Sequence, residues 1–352
     1  MPERATDAAP RRGPRRDAVP PPRAGRAQPQ RGTYAALDLG TNNCRLLIAR
    51  AQGDGFVVID AFSRIVRLGE GLAASGRLSE AAMDRAVAAL AICADKLKRR
   101  NVTLVRSVAT EACRRATNGR DFVARVRAET GIQLEIITAE QEARLAVTGC
   151  QALLEPGTGP ALVFDIGGGS TELVLLGDEA GGPPSIEDWF SAPWGVVSLS
   201  ESEPHIGDDA GELLAAYERM RDHVARAFES FRAVLARRAV RPGRLLGTSG
   251  TVTTLASLYL DLPNYDRSAV DGLIVPTDAM RGLGQTLARM NVAERALLPC
   301  IGNERADLVV AGCAILEAIL DLWPAERLSV ADRGIREGIL RRLMAHETGE
   351  RA

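Results

Sequence analysis

Residues Asp38-Leu39-Gly40-Thr41-Asn42-Asn43-Cys44-Arg45-Leu46-Leu47-Ile48 align without a gap on Asp165-Ile166-Gly167-Gly168-Gly169-Ser170-Thr171-Glu172-Leu173-Val174-Leu175. Each copy reads as strand, Asp-x-Gly, small polar turn and second strand, because apolar runs flank a segment too small and polar to be core. A chain that carries this hairpin twice is constrained to a duplicated fold, with the two turns facing each other across a cleft. Each turn offers an aspartate and a set of backbone donors. The three consecutive glycines of the second copy have no Cβ to hold an anion away, so successive N–H groups can converge on a phosphate. Asp165, at the entrance, is placed to hold a cation or its water shell. A ligand-free tight hairpin explains one such turn well and two of them poorly.

Composition matters chiefly for what it excludes. With 46% hydrophobic and 25% charged residues, the 352-residue chain suits two globular domains with a sizeable core. Residues 1–32 hold seven of the 18 prolines and eight arginines against three acids, with almost no bulky apolar residue. Such a segment cannot bury enough surface to fold and is predicted to be a disordered tail. The remainder is net negative, which leaves no footprint for duplex nucleic acid. The cysteines (Cys44, Cys93, Cys113, Cys150, Cys300, Cys313) are scattered and histidines number only three, which argues against zinc and for reduced thiols in a cytoplasmic protein. Leu308 to Trp323, the longest apolar stretch considered, is interrupted by Glu317 and Asp321, and no secretory h-region is present, so no membrane partner is expected.

Along the chain, Phe56 to Ile59 extends the first sheet. Arg64 and Arg67, in a glycine-containing loop, either reach an anionic substrate across the cleft or serve as surface charge. A helix capped by Ser79 and a strand over 102–108 follow. Ala109 to Asn118 then opens at the carboxyl edge of that strand, where open α/β sheets place ligand sites. A strand Leu134 to Ile137 runs into Thr138-Ala139-Glu140-Gln141-Glu142, where capping-box spacing puts both glutamates in the first turn of a helix held at a sheet edge. For Glu140 the macrodipole alone is the preferred explanation. Beyond the second hairpin come an amphipathic helix over 211–238 and then Leu245 to Leu255, a strand, small turn and helix start. Gly247, Ser249, Gly250 and Thr251 there form a third anion cradle or an ordinary connection. Ala306 to Leu322 reads as a core helix, and Leu328 to Leu340 as a strand, turn and closing helix whose charges face either cleft or solvent. The predicted organisation is a tail (1–32), a first domain (33–148), a second domain (149–332) and a closing helix (333–352).

From about Tyr34 to Leu343 the chain resembles the exopolyphosphatase/guanosine pentaphosphate phosphatase (Ppx/GppA) family of the actin-like ATPase superfamily. The motifs are Ala36 to Asn42, Arg67 to Leu72, Ala109-Thr110 through Arg114 and Asn118, Glu140 to Leu145, Asp165 to Glu172, Gly247 to Thr251 and Asp332 to Gly338. The resemblance implies an α/β fold of two ribonuclease-H-like domains around a central cleft. It also implies release of the terminal phosphate of inorganic polyphosphate, or of the 5′ phosphate of pppGpp to give ppGpp, with Mg²⁺ or Mn²⁺. Glu142 matches the family's catalytic glutamate and Arg114 its substrate-contacting arginine. Asp38, Asp165 and Glu172 match acidic positions tied to metal and water. Longer members add an HD-type helical domain, to which this sequence does not extend. Asn43-Cys44 stands where many relatives carry Ser-Phe or Ser-Cys.

Phosphoryl transfer to water needs charge neutralisation and an in-line nucleophile more than covalent chemistry. The expected division of labour follows. Gly40, Thr41, Asn42, Asn43, Arg67, Gly167, Gly168, Gly169, Ser170, Thr171, Gly247, Ser249, Gly250 and Thr251 bind phosphate, and Asp38 and Asp165 hold the metal. Arg114 stabilises charge, Glu172 assists, and Glu142 deprotonates water. An actin-like kinase would want a catalytic aspartate instead, and a non-catalytic (p)ppGpp-binding regulator would bind without turnover. Polyphosphate and pppGpp present the same terminal anhydride, so the residues do not separate them. A homodimer is an expectation that no spacing in the chain carries.

Overall fold

The structure, a computed structural model, describes residues 32–53, 55–177 and 185–348; the proline- and arginine-rich segment 1–31, where disorder is expected, lies outside the described residues. The first repeat forms a hairpin of β1 (Thr33–Leu39) and β2 (Asn43–Gln52), extended by antiparallel β3 (Gly55–Ile65). After α1 (Leu72–Ser75) and α2 (Glu80–Arg99), which Ser79 caps by accepting from the Ala82 N–H, β4 (Leu104–Ala109) pairs parallel to β1. Then α3 (Glu111–Arg115), α4 (Gly119–Thr130), β5 (Leu134–Ile136) and α5 (Ala139–Cys150) complete a sheet of order β3-β2-β1-β4-β5.

The second repeat forms β6 (Ala161–Ile166) and β7 (Thr171–Leu176), followed by β8 (Ile186–Ala192), α6 (Val196–Ser202) and α7 (Ala210–Arg237). Next come β9 (Arg244–Thr248), α8 (Gly250–Tyr259), α9 (Arg267–Val270), β10 (Ile274–Pro276), α10 (Thr277–Ala288), α11 (Val292–Ala296), α12 (Val309–Leu322), β11 (Arg327–Ala331) and α13 (Ile335–Thr348). The sheet order is β10-β11-β9-β6-β7-β8. Read from the β8 end it repeats the first sheet strand for strand, with β10 added at the edge. The core helix expected from Ala306 starts at Val309, and β8, which mixes acids with aromatics, has no clean alternation to betray it.

The repeat holds at the level of hydrogen bonds. Asp38 opposes Arg45 as Asp165 opposes Glu172. The Gly40 N–H donates to Asn43 O at 2.8 Å, and the Gly167 N–H to Ser170 O at 2.9 Å. In each half the chain leaving the third strand folds back as a collar on that turn. Val66 and Arg67 donate to Asn42 O, and Gly69 to Thr41 O; Val196 donates to Gly167 O, and Val197 to Gly168 O.

The helices that join the halves are exchanged. α5 follows the first sheet but buries Ala143, Val147 and Cys150 with Ala161, Val163 and Val174 of the second. α13 follows the second sheet but buries Ile339 and Leu340 with Tyr34, Ala36 and Leu47 of the first. The junction expected at 148/149 therefore falls inside α5. Where the two helices cross, a Cβ on Gly149 would lie 2.0 Å from Gly334 O and one on Gly338 2.0 Å from Leu145 O, so the crossing is backbone against backbone. All six cysteines are free thiols. No helix among the described residues is long and apolar enough to cross a membrane.

Candidate active site

Each repeat delivers an aspartate near the end of a central strand, Asp38 on β1 and Asp165 on β6. The turns beyond them touch. A Cβ on Gly168 would lie 3.0 Å from Asn42 N, one on Gly169 2.7 Å from Thr41 Oγ1, and one on Gly195 2.4 Å from the Gly168 carbonyl carbon. The glycines thus allow the halves to approach, as well as baring the backbone. The carbonyls of Gly167 and Gly168 are occupied by α6, and Ser198 Oγ donates to Gly169 O at 3.3 Å. The Gly168 and Gly169 N–H groups make no backbone hydrogen bond among the described residues.

Around the turns is a cavity of about 150 Å³. Of the expected residues, Asp38, Gly40, Thr41, Asn42, Asn43, Glu142, Asp165, Gly167, Gly168, Gly169, Ser170, Ser249, Gly250 and Thr251 line it. Ser249 caps α8 by accepting from the Val252 N–H at 3.3 Å, with φ 155° and ψ 172°. Such a backbone is otherwise almost confined to glycine, and strain of this kind gathers at functional sites.

Glu142 is placed by the start of α5. Thr138 Oγ1 accepts from the Gln141 N–H at 3.1 Å and Gln141 Oε1 from the Thr138 N–H at 2.9 Å, closing the capping box. That fixes the first turn so that Glu142 is 6% exposed while Glu140 pairs with Arg144 at 3.0 Å. Arg114 donates from Nη1 and Nη2 to Glu142 Oε2 at 3.1 Å each, from Nη1 to Ile137 O at 2.7 Å, and from Nη2 to Glu111 Oε2 at 2.6 Å. The guanidinium of Arg114, expected as a substrate contact, is thus engaged by two carboxylates and a carbonyl and is not among the residues that line the cavity. Glu172, 1% exposed, also stands behind the lining, where Oε1 accepts from Ser191 Oγ at 2.9 Å.

Three further residues expected to bind phosphate are placed outside the cavity lining. Thr171 is fully buried and donates to Trp194 O at 2.7 Å, so its hydroxyl is not available to phosphate. Gly247 makes room for a ring, since a Cβ there would lie 2.6 Å from Phe164 Cζ. Arg67 points across to Asp307, with Nη1–Oδ2 at 2.7 Å and Nη2–Oδ1 at 3.2 Å, on the rim of a neighbouring cavity. The structure also adds Arg45, Thr110, Glu111 and Arg305 to the lining. Arg45, which the repeat aligns on Glu172, had no expected role and lies opposite Asp38 in the hairpin. Arg305, which donates to Thr254 Oγ1 at 3.2 Å, lies in a connection with no motif around it.

The acids work on one another. Burial, then the charges of Glu172 and Asp38, push Asp165 up to about 8. Burial pushes Glu172 up to about 7 against hydrogen bonds from Ser170 and Ser191. Glu142 is raised well above the usual carboxylate range by burial and by Glu172, against the pull of Arg114. Asp38 is raised by burial, against Arg45 and Arg336. Asp38 Oδ1, Thr41 Oγ1 and Asn42 Oδ1, all from the first hairpin, are buried without a hydrogen-bond partner in the protein. Buried acceptors of that kind call for a cation or ordered water. Among the described residues no three acids converge into a ready-made cage. A cation held by one or two carboxylates, water and phosphate oxygens is the habit of Mg²⁺, and Asp38 with Asp165 fits it.

Comparison with known proteins agrees with this architecture. The model of the Ppx/GppA phosphatase family matches residues 47–347. Exopolyphosphatase 2 of Mycobacterium tuberculosis is 32% identical over 320 residues, covering 87% of this chain and 96% of its own. The guanosine-5′-triphosphate,3′-diphosphate pyrophosphatase of Aeromonas hydrophila is 31% identical over 318 residues, 89% of this chain, which spans 60% of that protein. Among solved structures, an exopolyphosphatase from Cytophaga hutchinsonii superposes with a TM-score of 0.79 at 25% identity, over 89% of this chain and 98% of that one. The Aquifex aeolicus Ppx/GppA family member does so with a TM-score of 0.72 at 29% identity, over 90% and 98%. The paired sheets are those of the actin-like, ribonuclease-H-like fold. A family match across most of the chain, with relatives above 30% identity along nearly all of its folded length, makes this protein a member of the Ppx/GppA phosphatase family.

Proposed function

We propose that this protein releases the terminal phosphate of inorganic polyphosphate by attack of water, with a divalent cation. The observation that carries the reading is Glu142: buried in the wall of a cavity built from two anion-binding turns, with Oε2 engaged by Arg114 and Oε1 left to take a proton. The Gly168 and Gly169 N–H groups and the start of α8 at Ser249 to Thr251 bind the terminal phosphates. Arg45 and Arg305 neutralise their charge. Arg114 keeps the Glu142 carboxylate oriented and more acidic than burial alone would leave it. Glu172, held by Ser170 and Ser191, adds the negative field that makes Glu142 a stronger base. A cation held by Asp38 and Asp165 would neutralise the phosphate oxygens as charge moves onto the leaving group. A second substrate, pppGpp, is favoured by the Aeromonas relative and offers the same anhydride.

Phosphate release with Mg²⁺ from long-chain polyphosphate and from pppGpp, for wild type and Glu142→Gln, tests this. A positioned base contributes about 10²–10⁴-fold. Release from polyphosphate should fall by that factor in Glu142→Gln while binding persists. Wild-type turnover in the variant removes Glu142 as base, and release from pppGpp alone moves the second substrate to first place.

A further inference from the structure

Arg67 has a backbone that side chains other than glycine, asparagine and aspartate seldom adopt, with φ 48°. Glycine would meet the needs of that turn better, so the residue is there for its side chain. Its N–H is fixed to Asn42 O at 3.0 Å, within the collar on the first turn, while its guanidinium crosses to the second half and pairs bidentately with Asp307, at the foot of α12. A second strap lies beside it: the Gly71 N–H donates to Glu201 Oε1 at 2.8 Å, on the helix that forms the other collar. Each collar grips one turn, so tying collar to opposite half sets the separation of the two turns. Arg67 and Asp307 also border a cavity of about 250 Å³ that shares Asn42 and Leu308 with the candidate active site.

We propose that the Arg67–Asp307 pair, with the Gly71–Glu201 strap, is a latch that holds the two halves closed over the candidate active site. Arg67 is on this account a positioning residue and not a phosphate ligand. Any motion that parts the turns to admit or release a polyanion must break both straps. The two side chains are 34% and 37% exposed, so the pair is partly screened and should bias the closed form by about fivefold.

Hydrogen exchange at the Gly71 N–H in ligand-free protein reads the latch directly and needs no substrate, so it stays informative even if the proposed reaction is wrong. Asp307→Asn should speed that exchange about fivefold. Arg67→Gly should do the same while relaxing the turn backbone, and the exchanged pair Arg67→Asp with Asp307→Arg should slow it again. In phosphate-release assays, Asp307→Asn should lower kcat severalfold with little change in KM. Unchanged Gly71 exchange in Asp307→Asn overturns the latch. So does a variant set in which Arg67→Gly raises KM while Asp307→Asn behaves as wild type, which would make Arg67 a direct substrate contact.

Discussion

Glu142 and Arg114 behave as one unit. Arg114 bridges Glu111, Glu142 and Ile137 O with a planar fork, which lysine cannot reproduce from a single ammonium. In Arg114→Lys the proposed base loses orientation and part of its counter-charge, and kcat should fall by about 10–100-fold. Because Arg114 pulls the Glu142 carboxyl down, weakening it must move the rising limb of the kcat–pH profile to higher pH. Superimposable profiles for wild type and variant would remove the coupling. The expected role of Glu142 rested on the family resemblance, but its place in a first helical turn was legible in the sequence because it is set locally, by a capping box immediately after a strand. The fate of Arg114 was not, because its partners come from α3, β5's exit and α5, which meet only once the first sheet has formed. The pairing of Arg67 was hidden for the same reason: its partner Asp307 lies 240 residues away.

At the scale of elements, the hairpins were readable because strand, turn and strand are contiguous and occur twice. The collars were not, since 66–69 and 195–197 share a role through long-range hydrogen bonds and not through a common pattern. The crossing of α5 and α13 was hidden for another reason. Gly149 and Gly338 look like weak points in helices, and only the approach of a second backbone explains them. Alanine favours a helix over glycine by about 1 kcal/mol, yet at Gly338 its Cβ would collide with Leu145 O at 2.0 Å. Backbone cannot swing aside as a side chain can, so Gly338→Ala should destabilise by about 1–3 kcal/mol net. Gly282, exposed on α10 with nothing within 4 Å of a Cβ, is the matched control. Gly282→Ala should stabilise by about 0.4–1 kcal/mol. Denaturant midpoints moving in opposite directions support this account, and a stabilising Gly338→Ala would refute the backbone crossing.

The whole molecule closes two sheets over a group of acids with too little compensating charge, and its stability should register that. Asp165 at about 8 and Glu172 at about 7 are both raised above their unfolded values, so each contributes stability that is fully present in the ordinary carboxylate range and is lost as pH rises from there to those values. Asp38 and Glu142 are raised as well and act in the same sense. Asp60, held at about 2 by Lys96 and Arg100, titrates far below this window. His205 opposes the trend only on the acid side: burial, then the Arg295 charge, lowers it, so its contribution is lost as pH falls through the ordinary imidazole range. Without divalent cation, the melting temperature should therefore fall as pH rises from about 4.5 to about 8, and level off above that. Each unit of raised pKa represents about 1.4 kcal/mol, and about 2 °C accompanies each kcal/mol in a chain of this size. On the proposed function, a divalent cation such as Mg²⁺ would bind the ionised carboxylates of the folded cleft, a site the unfolded chain lacks, and so should restore melting temperature by mass action. The restoration should be larger at pH 8.5 than at pH 6.5, where protons compete for the same oxygens, and it should shrink in Asp165→Asn. Thermal melts in chelator and in Mg²⁺ at both pH values decide the matter. A pH-independent melting temperature, or a cation effect equal at both, would mean that these acids are not left uncompensated in the folded cleft.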